Sequence, residues 1–363
     1  MRLAGIFMSG DNVSMVEDRE GEELTRTKPV VGITIGDAAG IGPEISIKAA
    51  TDPDLCLFCT PVLIGDLNFL EGSSKKLFGR SILRPFSASD PEDAKGICVF
   101  DTANLPESVP IGKDDPITGK ASAECIEMAV RLLREGHIDA VATAPISKKA
   151  IALGGYAFPG HTEFFAELTG AEKFAMSFFA GHLRVVLLST HVSLKDALAL
   201  VTEDRLVDLI VFVRKELMRL LGRDVSIAVA GVNPHASEGG MFGTEEKKEI
   251  IPAIERCRRE HGINVTGPYS PDTVFLRGYR AEFDAVIACY HDQATIAVKS
   301  LSFGAAVNVT LGLPLIRTSV DHGTAYDIAG KGTADASSMK AAVLLAAELV
   351  GGTTAKRIGG PTA

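Results

Sequence analysis

The sequence contains no apolar run long enough to cross a bilayer, which takes about 18 to 20 residues. The longest candidates, Leu55–Gly65 and Ala341–Val350, fall short, and Glu348 interrupts the second. Before Pro29 there is only a brief apolar patch followed by polar residues, too little for the hydrophobic stretch of a secretory signal. Cysteine is scarce: 6 in 363 residues do not make a disulfide framework. Cys98, Cys125, Cys257 and Cys289 are isolated. The CxxC of Cys56 and Cys59 lies within LCLFCTPVLIG, which reads as a buried strand rather than a redox or zinc motif. Positive charge is in deficit, with 37 Lys and Arg against 46 Asp and Glu for a formal net charge of -9. Such a chain has no general attraction for nucleic acid or anionic membrane, and an anionic small substrate would need a local basic pocket. The expectation is a cytoplasmic protein without nucleic-acid or membrane partners.

What is present is an ordinary globular composition, 46% hydrophobic and 23% charged, in a length that fits roughly two domains. Residues 1–27 are polar, mixed in charge and without period, and are expected to form a disordered leader. From Pro29 onward, short β-branched runs alternate with amphipathic segments. Val30–Ile35, Thr60–Ile64, Ala140–Thr143, Val185–Ser189, Ile227–Gly231, Ala285–Cys289 and Ala306–Thr310 read as buried strands. Ala121–Glu135 and Glu203–Leu221 carry helical spacing, the second with Thr202 as N-cap and Leu206, Ile210, Val213, Leu217 and Leu220 on one stripe. The alternation predicts a three-layer α/β/α protein around a largely parallel sheet.

Three of the 8 histidines share one situation. His191 follows VVLLST, His235 follows IAVAGVNP and His291 follows AVIACY, each at or just past the carboxyl end of a buried strand, where open α/β sheets bind ligands. Three imidazoles there suit a first-row divalent cation. His161, in FPGHTE, is a fourth candidate. A loop histidine is more often inert than a ligand, and there is no HExxH or paired CxxC, so the residues alone leave both readings open. His137, His182 and His261 read as turn or cap residues. Lys299, Asn308 and Arg317 converge on the same region and could hold a phosphate and a carboxylate. Lys299 reads equally as a solvated helix residue, whereas Arg317 is flanked by apolar residues.

The first strand runs into GDAAGIGPEI, residues 36–45, and RTSVDHGTAYDIAGKGTADASSM occupies residues 317–339. Neither is a GxGxxG fingerprint, and no GxxxxGK[ST] occurs, which disfavours a Rossmann dinucleotide site and a P-loop kinase. GDxxGIGPE followed by HGTAYDIAGKGTAD resembles the two ends of the isocitrate/isopropylmalate dehydrogenase superfamily. The middle of the chain, with PGHTEF, STHVSL, GVNPHASEGG, GTEE, SPDTVF, YHDQ and GLPLIRTSVDHGTA, resembles the 4-hydroxythreonine-4-phosphate dehydrogenase family over about residues 30 to 345. Ala38 stands where that family usually has Pro.

The resemblance implies two subdomains with a cleft between them, residues 28–150 with 305–363 and residues 151–304. It implies a divalent metal (Zn, Mg, Co or Mn) on His191, His235 and His291, and substrate contacts from His161, Thr162, Lys299, Asn308 and Arg317. NAD or NADP would lie along the loop near residues 321–335, with His322, Gly323 and Asp327. It also implies a homodimer whose active site takes metal ligands from both chains. The activity implied is oxidation of 4-phosphooxy-L-threonine at its 3-hydroxyl, then decarboxylation to 3-amino-2-oxopropyl phosphate in pyridoxal 5'-phosphate biosynthesis. A sibling activity on 4-phospho-D-threonate or 4-phospho-D-erythronate is the alternative. Asp272 and Asp292 are the candidates for the base, Asp292 equally as a residue that orients His291.

Overall fold

In the computed structural model, which describes residues 14–17, 23–26, 28–87, 95–302 and 305–358, one sheet of twelve strands runs through the molecule. From one edge the order is Val265–Tyr269, Ile227–Ala230, Ala285–Ala288, Leu183–Leu187, Ala175–Ala180 and Val307–Leu311. It continues with Arg317–Ser319, Ala140–Thr143, Val30–Thr34, Thr60–Gly65, Ile97–Asp101 and Leu83–Pro85. The first four strands are mutually parallel, and so are the last six. Between them Ala175–Ala180 and Val307–Leu311 pair antiparallel with all their neighbours. Three successive reversals leave the two parallel blocks running in opposite directions. Their carboxyl ends therefore emerge at opposite edges of the sheet.

The strands are apolar on both faces because both faces are covered. Val185 and Leu187 face one apolar cluster under the helices Val274–Tyr279 and His291–Ser302. Val186 and Ile287 face the other, with Leu206, Ile210, Val213 and Leu217 of the helix Glu203–Leu221. Each such side chain contributes about 1.5 to 3 kcal/mol on burial. Thr202 occupies the N-cap of that helix without capping it, and Glu249 instead accepts from the Glu203 amide at 2.8 Å. The helix expected from Ala121 starts at Pro116, because Asp115 accepts from the Ile117 amide and proline suits the first turn.

Other expectations are corrected. LCLFCTPVLIG is not one buried strand: Asp52 caps a single helical turn, Pro53–Cys56, and Leu57 and Phe58 are 66% and 60% exposed before the strand begins at Thr60. Cys59 is core, and burial pushes its thiol up to about 12. Within the expected leader, Ser14–Glu17 and Glu23–Arg26 pair as an antiparallel ribbon. The rest of that segment lies outside the described residues.

Helix Pro116–Arg134 crosses Lys148–Leu153 so closely that a Cβ on Gly119 would stand 1.9 Å from the Ala150 carbonyl oxygen. Gly→Ala inside a helix ordinarily stabilises by up to about 1 kcal/mol. Here Gly119→Ala should destabilise by about 1 to 3 kcal/mol through overpacking, read as a lower Tm. A higher Tm would contradict this packing.

Candidate active site

Arg317 begins its strand with its side chain on the same sheet face as Thr143 and Thr310. It is 3% exposed. Its guanidinium donates to Thr310 Oγ1 at 3.0 Å, Thr143 Oγ1 at 2.9 Å and, at 3.5 Å, Thr162 Oγ1. Hydroxyls solvate the cation but do not neutralise it, and among the described residues no carboxylate pairs with it. Burial pushes its pKa down to about 9, partly offset by the nearby charge of Glu163. A buried cation without a counter-ion is costly. This one stands where an anion would relieve the cost.

The surroundings favour such an anion. Pro159 and Gly160 break the chain before the helix His161–Thr169, whose first turn has no side-chain cap, so its amides remain open. His161 Nε2, Asn308 Oδ1 and Arg317 Nε are buried without a hydrogen-bond partner. Burial, and then the charge of Arg317, hold the His161 imidazole well below its usual pKa, so it is neutral. Asn308 pairs with Ser319 two residues before Thr310, which puts Asn308, Thr310 and Arg317 on one face. Of the sequence-predicted contacts, His161, Thr162 and Arg317 therefore come together, with Asn308 on the adjoining register. Lys299 is exposed and pairs with Asp321 at 3.2 Å. It stands two turns along its helix from His291, about 12 Å at the helical rise. Thr143 and Thr310 were missed by sequence reasoning: the period-two relation to Asn308 could have flagged Thr310, but Thr143 arrives through long-range strand pairing.

The three strand-end histidines occupy one edge of the sheet, since Leu183–Leu187, Ile227–Ala230 and Ala285–Ala288 are adjacent and parallel. His191 and His291 are neighbours, with ring centroids 5.7 Å apart. Two imidazoles bound to one ion at nitrogen distances of about 2.0 to 2.1 Å have a centroid separation of roughly 5 to 6 Å, so this pair fits two adjacent ligand positions. His291 Nδ1 lies 2.7 Å from Asp292 Oδ1, a contact that ties up one of the two ring nitrogens. His235 does not join them: among the described residues no three His, Cys, Asp or Glu side chains form a group able to hold a metal ion. It opens a turn in which His235, Ala236, Ser237, Glu238 and Gly239 all have left-handed φ, from 45 to 68°. Each non-glycine residue there costs about 1 to 2 kcal/mol. Asp272 is exposed beyond Val265–Tyr269 at this same edge and accepts from Ser270 Oγ.

At the opposite edge the two glycine loops meet. The Ile41 amide donates to the Thr324 carbonyl at 3.0 Å, and a Cβ on Gly40 would come within 2.8 Å of that oxygen. Glu44, legible in the sequence only as a first-turn acid, accepts from the Gly332 and Ala334 amides at 3.1 and 2.7 Å, while Lys48 binds the carbonyls of both. Tyr326 donates to the buried Asp37 at 2.6 Å. Between the loops and the helix Leu67–Phe78 is a cleft of about 290 Å³, lined by Gly40, Ser73, Lys76, Gly330 and Lys331 among others. His322, Gly323 and Asp327 are exposed and do not line it. The cleft is bordered instead by the residues that follow them.

Fold and pocket define an α/β protein with a buried guanidinium, not paired to a carboxylate among the described residues, over the middle of its sheet. Residues 57–346 match the family described as pyridoxal phosphate biosynthetic protein PdxA. The chain is similar to D-threonate 4-phosphate dehydrogenase of Cupriavidus necator, 44% identical over 326 residues, covering 88% of this chain and 97% of that one. It is similar to 4-hydroxythreonine-4-phosphate dehydrogenase of Geobacter metallireducens, 43% identical over 329 residues, covering 90% and 97%. The crystal structure of 4-hydroxythreonine-4-phosphate dehydrogenase from Klebsiella pneumoniae matches with a TM-score of 0.81 at 39% identity, covering 89% of this chain and 100% of that one. The chain belongs to the PdxA family, and it is a dehydrogenase.

A neutral, half-buried His161 makes stability depend on acid. The folded state refuses a proton that the unfolded chain accepts near pH 6.5, so the contribution is present above that pH and is lost as pH falls below it. Between pH 7.5 and 5.5 the wild type should lose more stability than His161→Asn. Equal losses in urea melts would contradict a neutral His161.

Proposed function

We propose that the chain oxidises 4-phosphooxy-L-threonine at its 3-hydroxyl with NAD or NADP in the presence of a divalent metal. The resulting β-keto acid loses CO2 to leave 3-amino-2-oxopropyl phosphate, a step in pyridoxal 5'-phosphate biosynthesis. The observation that carries this reading is the buried, uncompensated Arg317 beside an uncapped helix N-terminus, a place built for a phosphate or carboxylate.

Arg317 and the open amides of His161–Thr169 would grip one anionic end of the substrate, with the Thr162 hydroxyl completing the hold. Asn308 and Lys299 would contact the remaining polar groups, and Lys299 would exchange its bond to Asp321 for one to substrate. A bound nicotinamide would accept the hydride, and a divalent cation would supply the Lewis acid beside the hydroxyl. His191 and His291 would hold that cation, with Asp292 fixing the His291 ring, and Asp272 is the candidate to take the hydroxyl proton. A second copy of the chain would supply the third imidazole. Support for a homodimer comes from the unmet third ligand and from the opposed sheet edges, which separate the histidines from the glycine loops in one chain. The reversal of strand direction across Ala175–Ala180 and Val307–Leu311 supports the division into two subdomains. Zinc and cobalt suit imidazole donors better than magnesium. Among the described residues no helix is long and apolar enough to cross a membrane, and a cytoplasmic location is part of the proposal.

A second reading has its own support. The relative named for D-threonate 4-phosphate is as similar as the one named for 4-hydroxythreonine-4-phosphate, at 44% against 43%. The same oxidation of that acid would leave a phosphorylated hydroxyketone after decarboxylation, and the two substrates differ in an amine against a hydroxyl.

Both phosphates, offered separately to the purified chain with NAD or NADP and each metal, decide the substrate through the rise of nicotinamide absorbance. The higher kcat/KM should fall to 4-phosphooxy-L-threonine. In Arg317→Lys the KM for the preferred phosphate should rise about tenfold or more, because a point charge does not replace a planar fork. Turnover of neither compound, or an unchanged KM in Arg317→Lys, would contradict the proposal.

A further inference from the structure

The three histidine-bearing strand ends are tied together by buried side chains that the chemistry does not use. Ser189 Oγ, two residues before His191, donates to the Cys289 carbonyl at 2.9 Å. The Cys289 amide, two residues before His291, donates to Gln293 Oε1 at 2.7 Å. Gln293 Nε2 then donates to the Gly231 carbonyl at 2.8 Å, at the root of the loop that carries His235. Beyond it, Glu246 accepts from the amides of Val232 and Asn233 at 2.8 and 2.7 Å, and from Asn233 Nδ2 at 2.9 Å. Ser189, Gln293 and Glu246 are 5%, 8% and 1% exposed. The chain of bonds thus runs from the His191 loop through the His291 loop to the strained left-handed turn at His235; the links through Ser189 and Gln293 are buried and those to Glu246 half-buried.

We propose that Gln293 is a positioning residue for the histidine edge, its amide setting the register between the His291 and His235 strand ends, with Ser189 and Glu246 extending the hold to either side. The side chain is suited to this. One oxygen accepts from one strand end while one nitrogen donates to the next, and burial makes both bonds expensive to break. A charged or aliphatic side chain at this position does one of those tasks or neither. The left-handed turn needs such a tether, because four consecutive non-glycine residues hold that conformation only where their surroundings impose it. Gly231 permits the approach: a Cβ there would stand 2.9 Å from Ala236 Cα. The inference rests on the reading of His191 and His291 as donors to a divalent cation, with His235 presented to the corresponding site of a second copy. Residues that orient ligands in this way commonly change metal affinity by about 10- to 100-fold when replaced.

The test is cobalt binding to the purified full-length protein, followed by visible absorption and equilibrium dialysis, with thermal unfolding of each variant alongside. Gln293→Met keeps the volume and removes both bonds. The inference predicts a cobalt affinity lowered about tenfold or more in a variant that still unfolds cooperatively, together with an altered cobalt spectrum. A lowered Tm with wild-type cobalt affinity and spectrum would show a purely structural glutamine and overturn the inference. Where Gln293→Met does not fold, Ser189→Ala carries the same test with one bond removed: affinity reduced about threefold or more supports the register, and unchanged affinity overturns it. Alanine at His191, His235 and His291 separates this inference from the reading beneath it. If those three variants bind cobalt as the wild type does, the metal reading fails; if they lose cobalt while Gln293→Met keeps it, only the positioning role fails.

Discussion

A guanidinium buried against three threonine hydroxyls and no carboxylate is the constraint around which this molecule is arranged. Burying a charge without a partner is among the more expensive things a fold can do, and it is sustained here by a large two-faced core. The cost explains the rest of the pocket. An uncapped helix end, a neutral histidine and an asparagine oxygen without a partner are each unfavourable in isolation, and each would become favourable beside the proposed anionic substrate with its hydroxyl and carboxyl groups.

The second constraint is directional. Because the two antiparallel strands reverse the sheet, the ends bearing His191, His235 and His291 and the ends feeding the glycine loops face opposite ways. A single chain therefore carries a buried guanidinium at mid-sheet, a pair of neighbouring imidazoles at one edge and a cleft between glycine loops at the other. Two copies related by symmetry could bring one chain's histidine edge to the other's anion grip. Such an arrangement, proposed above, would account for a third imidazole that stands apart from the other two.

Much of this was legible in the sequence wherever the signal was local. Continuous β-branched runs marked the buried strands, and their carboxyl ends marked His191, His235 and His291. Apolar flanks made Arg317 conspicuous among the basic residues. Where the outcome depended on pairing at long range, the signal was absent. Ala175–Ala180 carries Ser177 within it and no clean period, so the reversal of the sheet went unseen. Thr143 meets Arg317 across 174 residues of chain, and Glu44 meets Gly332 across 288, distances over which spacing has no meaning. CxxC misled because Asp52 and Pro53, two good helix starters, outweighed the apolar run that follows. The glycine loops were recognised as ligand-facing, but the residues that line the cleft, Gly330 to Gly332, lie just beyond His322, Gly323 and Asp327.

The most direct measurement of the central claim is thermal unfolding with and without inorganic phosphate, for the wild type and Arg317→Met. If the guanidinium is a cation waiting for its anion, phosphate raises the Tm of the wild type and leaves that of the variant unmoved, while in phosphate-free buffer the variant unfolds no earlier than the wild type. A variant that gains as much from phosphate as the wild type would place the anion elsewhere and contradict the account.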